Sequence, residues 1–138
     1  VLGPLLERHP RTVTIANRTL STAQELTREF TDLGSVTACG LDDLSGPPFD
    51  LIINGTSAGV QGALPRLPAS LVDRSSVCYD MVYGPDPTPF TRWAISLQAS
   101  RTAKGWGMLV EQAAESFFLW RGIRPDTRPV LERLAPYF

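Results

Sequence analysis

The sequence has little of what metal sites and disulfide frameworks require. Its 138 residues include two cysteines and one histidine, His9. None of these residues has the spacing of a metal-ligand set, so we expect no zinc site and no other metal. Cys39 and Cys78 lie in or near apolar runs and are predicted to be buried free thiols, which fits a reducing, cytoplasmic compartment.

Strong charge of one sign and long apolar runs are also missing. The net charge is −1 and the basic residues are scattered along the chain. A nucleic-acid partner needs a concentrated basic patch, so none is expected. The apolar runs are too short to span a bilayer, and no membrane partner is expected. An apolar fraction of 43% and a charged fraction of 20% are typical of one soluble globular domain.

The first residues lack the start of a nucleotide-binding unit. Residues 1–8 have the composition of the last turns of a helix, without an N-cap before them. A dinucleotide-binding fold places a strand and a Gly-rich phosphate loop ahead of that helix. The sequence shows neither, so we interpret residues 1–138 as a fragment of a longer protein.

The stretch from Thr12 to Thr22 indicates the fold class. Residues 13–16 predict a short buried strand, and Asn17, Arg18 and Thr19 follow at its carboxyl end. A helix is predicted to open at Ser21, with a capping-box glutamine three residues later. A strand that ends in polar groups and turns into a helix is half of a βαβ unit, whose ligands lie beyond the carboxyl ends of the strands.

Arg18 favours one cofactor. An NAD site usually has an acidic residue after this strand, which accepts a hydrogen bond from the ribose 2′-hydroxyl group. A guanidinium group at that position pairs with a 2′-phosphate instead. The residue type therefore predicts NADP.

Strands and helices alternate along the rest of the chain. Further strands are predicted at 35–39, 50–54, 77–82 and 102–104, and helices at 22–33, 107–121 and 128–134. Thr91 is predicted to cap another helix. The pattern predicts an α/β fold: a Rossmann-like, doubly wound, mostly parallel sheet flanked by helices and truncated at its N-terminus.

The long helix at 107–121 carries an apolar stripe with one polar interruption. The stripe consists of Leu109, Ala113, Phe117 and Trp120, and its spacing predicts core packing. Gln112 interrupts this face. From spacing alone, two roles of Gln112 remain equally open: its amide is exposed to solvent, or it contacts a ligand.

Several blocks together resemble the shikimate dehydrogenase family. They are Asn-Arg-Thr at 17–19, Asp-Leu-Ile-Ile-Asn-Gly-Thr-Ser-Ala-Gly at 50–59, Tyr-Asp-Met-Val-Tyr at 79–83, Thr-Pro-Phe at 88–90 and Gly-Trp-Gly-Met-Leu-Val-Glu-Gln-Ala-Ala at 105–114. They occur in the family's order and spacing. The resemblance implies the C-terminal NADP-binding lobe of an oxidoreductase that reversibly reduces 3-dehydroshikimate to shikimate, towards chorismate and the aromatic amino acids.

The resemblance also implies roles for single residues. The residues that would bind the 2′-phosphate end of NADP are Asn17, Arg18, Thr19 and Thr22. The position of Thr22 is often basic in the family. The residues that would contact the nicotinamide half of NADP are Thr56, Ser57, Met81, Gly105 and Met108. Tyr83 and Gln112 would reach the substrate. The family's proton-transferring lysine and aspartate belong to an N-terminal substrate lobe and have no counterpart here, so the isolated chain is expected to be inactive.

Two other interpretations of the function stay open at this point. One is a quinate/shikimate dehydrogenase paralogue that uses NAD, against which Arg18 argues. The other is a module that binds a nucleotide and catalyses nothing.

Overall fold

The structure is a computed structural model that describes residues 1–56, 63–64 and 66–137. The chain divides into two compact units. The first unit comprises Val1–Gly46 and Pro65–Pro68, and the second comprises Pro47–Leu64 and Ala69–Phe138. Each unit has its own parallel sheet.

The first unit is a small α/β layer. It contains α1 (Leu2–Leu6), β1 (Val13–Asn17), α2 (Leu20–Phe30) and β2 (Val36–Gly40). The two strands pair in parallel, with Val13 opposite Val36 and Asn17 opposite Gly40. Leu6 and Ala23 are buried among these elements because their helices turn one apolar face towards the unit's core.

The predicted capping box at the start of α2 is wrong. The helix begins at Leu20, and Thr19 is the N-cap residue with an extended backbone and no side-chain capping bond. Ser21 therefore lies inside the first helical turn, where its hydroxyl group is not placed to cap. The strand-to-helix turn itself is confirmed, but the helix begins two residues earlier than the sequence predicts.

Among the residues that the structure describes, the second unit contains three strands and three α-helices. They are β3 (Leu51–Asn54), β4 (Val77–Asp80), α3 (Pro89–Ser96), β5 (Arg101–Lys104), α4 (Trp106–Arg121) and α5 (Arg128–Leu134). The strands are parallel in the order β3-β4-β5, so their carboxyl ends share one edge. Asn54, Asp80 and Lys104 are register partners at that edge.

The core of the second unit is built by small and aromatic side chains. Its buried apolar residues include Leu71, Val72, Cys78, Phe90, Ala94 and Ala114. The prediction that the stripe on α4 is core is wrong, because Leu109 is only partly buried, Ala113 is exposed, and Phe117 and Trp120 are 45% and 79% exposed. Helical spacing identifies an apolar face, but it does not supply a neighbouring element within this chain to cover that face.

The loop before β4 is closed by a carboxylate. Asp73 accepts hydrogen bonds from the backbone and side chain of Ser75 and of Ser76, and Ser76 also donates to the carbonyl of Phe49. The bonds from Ser75, followed by those from Ser76, lower the pKa of Asp73 below its ordinary value.

The α/β class with parallel strands flanked by helices is confirmed. One detail differs, because the described strands form two sheets and not one continuous sheet. Both cysteines are free thiols; Cys78 is buried, whereas Cys39 is only partly so. Among the described helices, none is long and apolar enough to cross a membrane. The same residues include no cluster of three acidic, histidine or cysteine side chains that could hold a metal ion.

Candidate functional site

In the first unit, the polar residues predicted to bind the cofactor follow β1 directly. Asn17 ends the strand and accepts a hydrogen bond of 2.9 Å from the backbone N–H of Arg18 through Oδ1. The Nδ2 group of Asn17 donates to no residue that the structure describes. The Arg18 guanidinium is exposed, and within the described part of the chain it forms neither an ion pair nor a hydrogen bond. These are unused donors at the carboxyl end of a parallel strand.

Thr19 and Thr22 extend this donor set into the first turn of α2. Both are exposed, and the backbone N–H of Thr22 donates to the carbonyl of Thr19. Thr19 follows Arg18 directly and is the N-cap residue of α2. The structure thus keeps Asn17, Arg18, Thr19 and Thr22 on one short segment of one unit.

In the second unit, Asn54 organises the chain beyond β3. Its Oδ1 accepts hydrogen bonds from the backbone N–H of Thr56 at 3.1 Å and from the Thr56 hydroxyl at 2.8 Å. Its Nδ2 donates to Asp80 Oδ1 at 3.1 Å. The carboxylate can only accept, so it fixes which end of the amide faces it. Asn54 therefore positions Thr56, and Asp80 orients Asn54.

Asp80 is a fully buried carboxylate surrounded by neutral donors. It is 0% exposed, and besides Asn54 it accepts from the backbone N–H of Val82 at 3.1 Å and from the Thr88 hydroxyl at 2.5 Å. Several charge-assisted hydrogen bonds offset the cost of burying its charge. Asp80 thereby ties the ends of β3 and β4 to the start of α3.

Thr88 connects this network to a helix. Its hydroxyl group donates to Asp80 and accepts from the backbone N–H of Thr91, so Thr88 is the N-cap of α3. The prediction that Thr91 caps this helix is wrong. Pro89 occupies the first turn, where proline is well tolerated, and this moves the cap three residues earlier.

Met81 and Gly105 are in backbone contact beyond the sheet edge. A Cβ atom on Gly105 would lie 2.2 Å from the carbonyl oxygen of Met81, so only glycine fits there. The backbone N–H of Gly105 donates to the carbonyl of Val82. The Met81 sulfur lies 3.3 Å from the position of a Cβ on Gly55. The predicted residues Thr56, Met81 and Gly105 therefore meet at one edge.

Tyr83 lies on the loop that follows. Its side chain is 46% exposed, and its ring is 5.3 Å from the ring of Trp106, centroid to centroid. The indole Nε1 of Trp106 donates to the carbonyl of Gly84 at 3.2 Å. An aromatic side chain that is half exposed and supported on one face is suited to contact a ligand.

Met108 and Gln112 lie one turn apart on α4. Burial raises the pKa of the nearby Tyr79 phenol, and the backbone of Met108 partly opposes that rise. Gln112 is exposed, and its side chain has no hydrogen bond to any residue that the structure describes. Its amide is thus available to a ligand. Ser57, the remaining predicted cofactor contact, lies outside the described residues.

Sequence reasoning missed the residues that hold this edge together. Asp80 and Lys104 end their strands as buried charges, at 0% and 7% exposure, and neither was predicted to have a role. A signal was present, since an acidic residue within the apolar run at 77–82 needs partners if that run is buried.

The C-terminal part of the chain matches a known domain family. Residues 105–135 match the shikimate 5′-dehydrogenase C-terminal domain. Over 134 residues the chain is 58% identical to the shikimate dehydrogenase (NADP(+)) of Cellvibrio japonicus, which covers 97% of this chain and 49% of that protein. The chain spans about half the length of the curated relatives it matches.

Solved structures show the same fold. The Ael1 enzyme of Pseudomonas putida superposes with a TM-score of 0.85 at 43% identity, over 96% of this chain and 49% of that one. The shikimate dehydrogenase of Aquifex aeolicus superposes with a TM-score of 0.67 at 25% identity, over 90% of this chain and 44% of that one. The resemblance to shikimate dehydrogenases is confirmed in sequence and in fold.

Proposed function

We propose that this chain is the cofactor-binding half of an NADP-dependent shikimate dehydrogenase. The complete protein would reversibly reduce 3-dehydroshikimate to shikimate with NADPH, a step towards chorismate and the aromatic amino acids. Support comes from relatives that carry this name, with NADP(+) in it, and that match nearly the whole chain. An N-terminal substrate lobe would supply the other half, and the two free thiols fit a cytoplasmic enzyme.

The guanidinium of Arg18, which has no partner among the described residues, carries the proposal for NADP. The group is exposed directly after β1, and the neighbouring Asn17 keeps a free amide donor. A 2′-phosphate bears about two negative charges near neutral pH and offers three acceptor oxygens. Arg18, Asn17 and the hydroxyl groups of Thr19 and Thr22 form a donor set that suits it.

The second unit would hold the nicotinamide. Gly105 would meet the carboxamide through its backbone, and Met81 would lie against the ring, with Thr56, Ser57 and Met108 beside it. When bound, the nicotinamide supplies or accepts the hydride. The apolar thioethers of Met81 and Met108 would exclude water from the reacting face, which protects a hydride from competing reactions.

Tyr83 and Gln112 would bind the substrate. The Tyr83 phenol and the Gln112 amide both donate and accept hydrogen bonds, which suits the hydroxyl and carboxylate groups of shikimate. Proton transfer would fall to a lysine and an aspartate of the N-terminal substrate lobe. The residues of this chain therefore bind and orient, and the chain alone is expected to turn over no substrate.

The NAD-dependent quinate alternative is not favoured, since the relatives that match most of this chain are NADP enzymes by name. Cofactor binding without catalysis would describe only the isolated chain. Both alternatives are decided by assaying the complete parent protein with shikimate and quinate, using each cofactor. Oxidation of quinate with NAD at a kcat/KM above that of shikimate with NADP would overturn the proposal.

The Arg18→Ala variant of the complete enzyme tests the cofactor site. Loss of hydrogen bonds to a charged group costs about 1.5–3 kcal/mol, and we expect NADP affinity to fall by roughly ten- to a hundredfold. NAD lacks the phosphate, so its affinity should change little. Arg11→Ala is the matched control, because Arg11 is an exposed arginine just before the other end of β1. Equal losses for NAD and NADP would mean that Arg18 supports the fold and not the phosphate.

A further inference from the structure

The chain has one lysine, and it is buried. Lys104 is the single lysine among thirteen basic residues. It ends β5 at the edge where the nicotinamide-side residues meet, and it is 7% exposed. Lysine is rarely buried unless its charge is paired, so its surroundings require an explanation.

The Lys104 ammonium is bound by backbone carbonyl groups of one loop. Its Nζ donates to the carbonyl oxygens of Gly84 at 2.9 Å, Pro85 at 3.3 Å and Asp86 at 3.5 Å. An ammonium group has three protons, and three acceptors surround it. No carboxylate in the described part of the chain forms an ion pair with it. Its charge is therefore satisfied by the dipoles of the loop.

The same loop carries Tyr83 at its start. Trp106 donates to the carbonyl of Gly84, which also accepts from Lys104, and the Trp106 ring packs against the ring of Tyr83. These two donors therefore share one acceptor next to Tyr83. If the ammonium is removed, the carbonyl groups of Gly84, Pro85 and Asp86 lose their common donor, and the loop loses the hydrogen bonds that tie it to the end of β5.

We propose that Lys104 is a positioning residue: by holding the carbonyl groups of Gly84, Pro85 and Asp86, it fixes the orientation of Tyr83 towards the substrate. This rests on the proposed function, which assigns Tyr83 to the substrate. The role is indirect, because the three ammonium protons of Lys104 are donated to carbonyl groups of the loop and none remains for a ligand. The structure thus gives the substrate end of the site a support that is separate from the cofactor.

The test uses the complete parent enzyme and a double-mutant cycle. Lys104→Met keeps the length of the side chain and removes the donors. We expect it to raise the KM for shikimate about tenfold while the KM for NADP stays within about twofold of wild type. In a Tyr83→Phe background the same change should have little further effect. Arg101→Met is the matched control, because it removes one positive charge from the exposed start of the same strand.

Two outcomes would overturn the proposal. One is an unchanged KM for shikimate in Lys104→Met. The other is a loss of the same size with and without the Tyr83 hydroxyl, which would show that Lys104 does not act through it. Should Lys104→Met fail to fold, Lys104→Gln retains an amide donor and is held to the same criteria, with a smaller rise in KM.

A spectroscopic measurement separates this inference from the proposed function. In the ¹H–¹⁵N spectrum of the labelled enzyme, the indole resonance of Trp106 should shift in Lys104→Met and not in Arg101→Met, because its acceptor moves. If the wild-type enzyme does not oxidise shikimate, the proposed function fails. The indole resonance then decides the positioning role alone, and an unshifted resonance would refute it.

Discussion

Replacing Asp80 should uncouple the sheet edge from the helix that follows it. Asp80 is fully buried and accepts hydrogen bonds from Asn54, Val82 and Thr88. Asp80→Ala leaves Asn54 Nδ2 and the backbone N–H of Val82 without an acceptor, whereas the Thr88 hydroxyl can turn to the Thr91 hydroxyl at 3.2 Å. Asn54 and Thr88 are themselves only 7% and 8% exposed. Water has little access to them, so their desolvation cost is not recovered.

The expected magnitude follows from that count. A buried donor left unsatisfied costs about 1–3 kcal/mol. Two such donors set a lower bound of about 2 kcal/mol, the longer Thr88 bond adds to it and relaxation around the new cavity limits the total, so we expect Asp80→Ala to lose about 3–5 kcal/mol of unfolding free energy. This is a large part of the roughly 5–15 kcal/mol that stabilises a typical domain.

A conservative variant distinguishes acceptor loss from charge loss. In Asp80→Asn, Oδ1 can still accept from Asn54 and Val82. The new amide would face the Thr88 hydroxyl, whose proton can turn towards the Thr91 hydroxyl at 3.2 Å. Only one hydrogen bond changes direction, and we expect a cost of about 1–2 kcal/mol.

Urea denaturation of wild type and variants measures these differences. Asp86→Ala is the matched control, because its carboxylate is exposed and has no partner in the part of the chain that the structure describes. It should change the unfolding free energy by less than about 0.5 kcal/mol. If Asp80→Ala behaves like Asp86→Ala, the carboxylate does not hold the edge together. If Asp80→Asn costs as much as Asp80→Ala, the charge matters and the geometry of acceptors does not.

Three further predictions follow from single residues. Gly105→Ala places a methyl group 2.2 Å from the Met81 carbonyl and should cost at least about 3 kcal/mol in urea denaturation. Gly107→Ala, which meets nothing within 4 Å, should stabilise by about 0.5–1 kcal/mol. In the complete enzyme, Gln112→Ala should weaken kcat/KM for shikimate by about 1–3 kcal/mol while NADP affinity holds, and an unchanged kcat/KM would make Gln112 an exposed amide only. The pKa of Asp73 is lower in the folded state than its ordinary 3.8, so its stabilisation is present above that pH and is lost as pH falls through the folded value. Acid titration of unfolding should therefore show a smaller loss in Asp73→Ala than in wild type.

The fold class could be predicted because it depends on local patterns. Alternating strands and helices identify an α/β protein, and the helix at 128–134 and the end of α4 at Arg121 match the structure. Helix starts were less predictable. Thr91 and Ser21 are good capping residues by type, yet the chain enters each helix earlier, because Pro89 in one case and the extended Thr19 in the other fix the first turn.

The candidate site shows the same division between local and distant signals. The place of Arg18 directly after β1 could be predicted, because it depends on one strand, and its role with the cofactor stays a prediction. The role of Asp80 could not be predicted, because its partners come from β3, from the segment after β4 and from the start of α3, which meet only in the folded chain. Trp120 shows the opposite error. Helical spacing assigned it to a core, but burial depends on a neighbour that the described chain does not place there.

The segment after β4 shows how two buried charges can shape a site without pairing with each other. Asp80 and Lys104 are register partners on adjacent parallel strands but form no ion pair. A chain that leaves a sheet loses its ladder partners, and its backbone groups must find others. The anion takes the N–H of Val82, and the cation takes the carbonyl groups that begin at Gly84. The carbonyl of Val82 between them accepts from Gly105. Each charge thus binds the backbone group of opposite polarity, and the residues between them, which include Tyr83, are held from both ends.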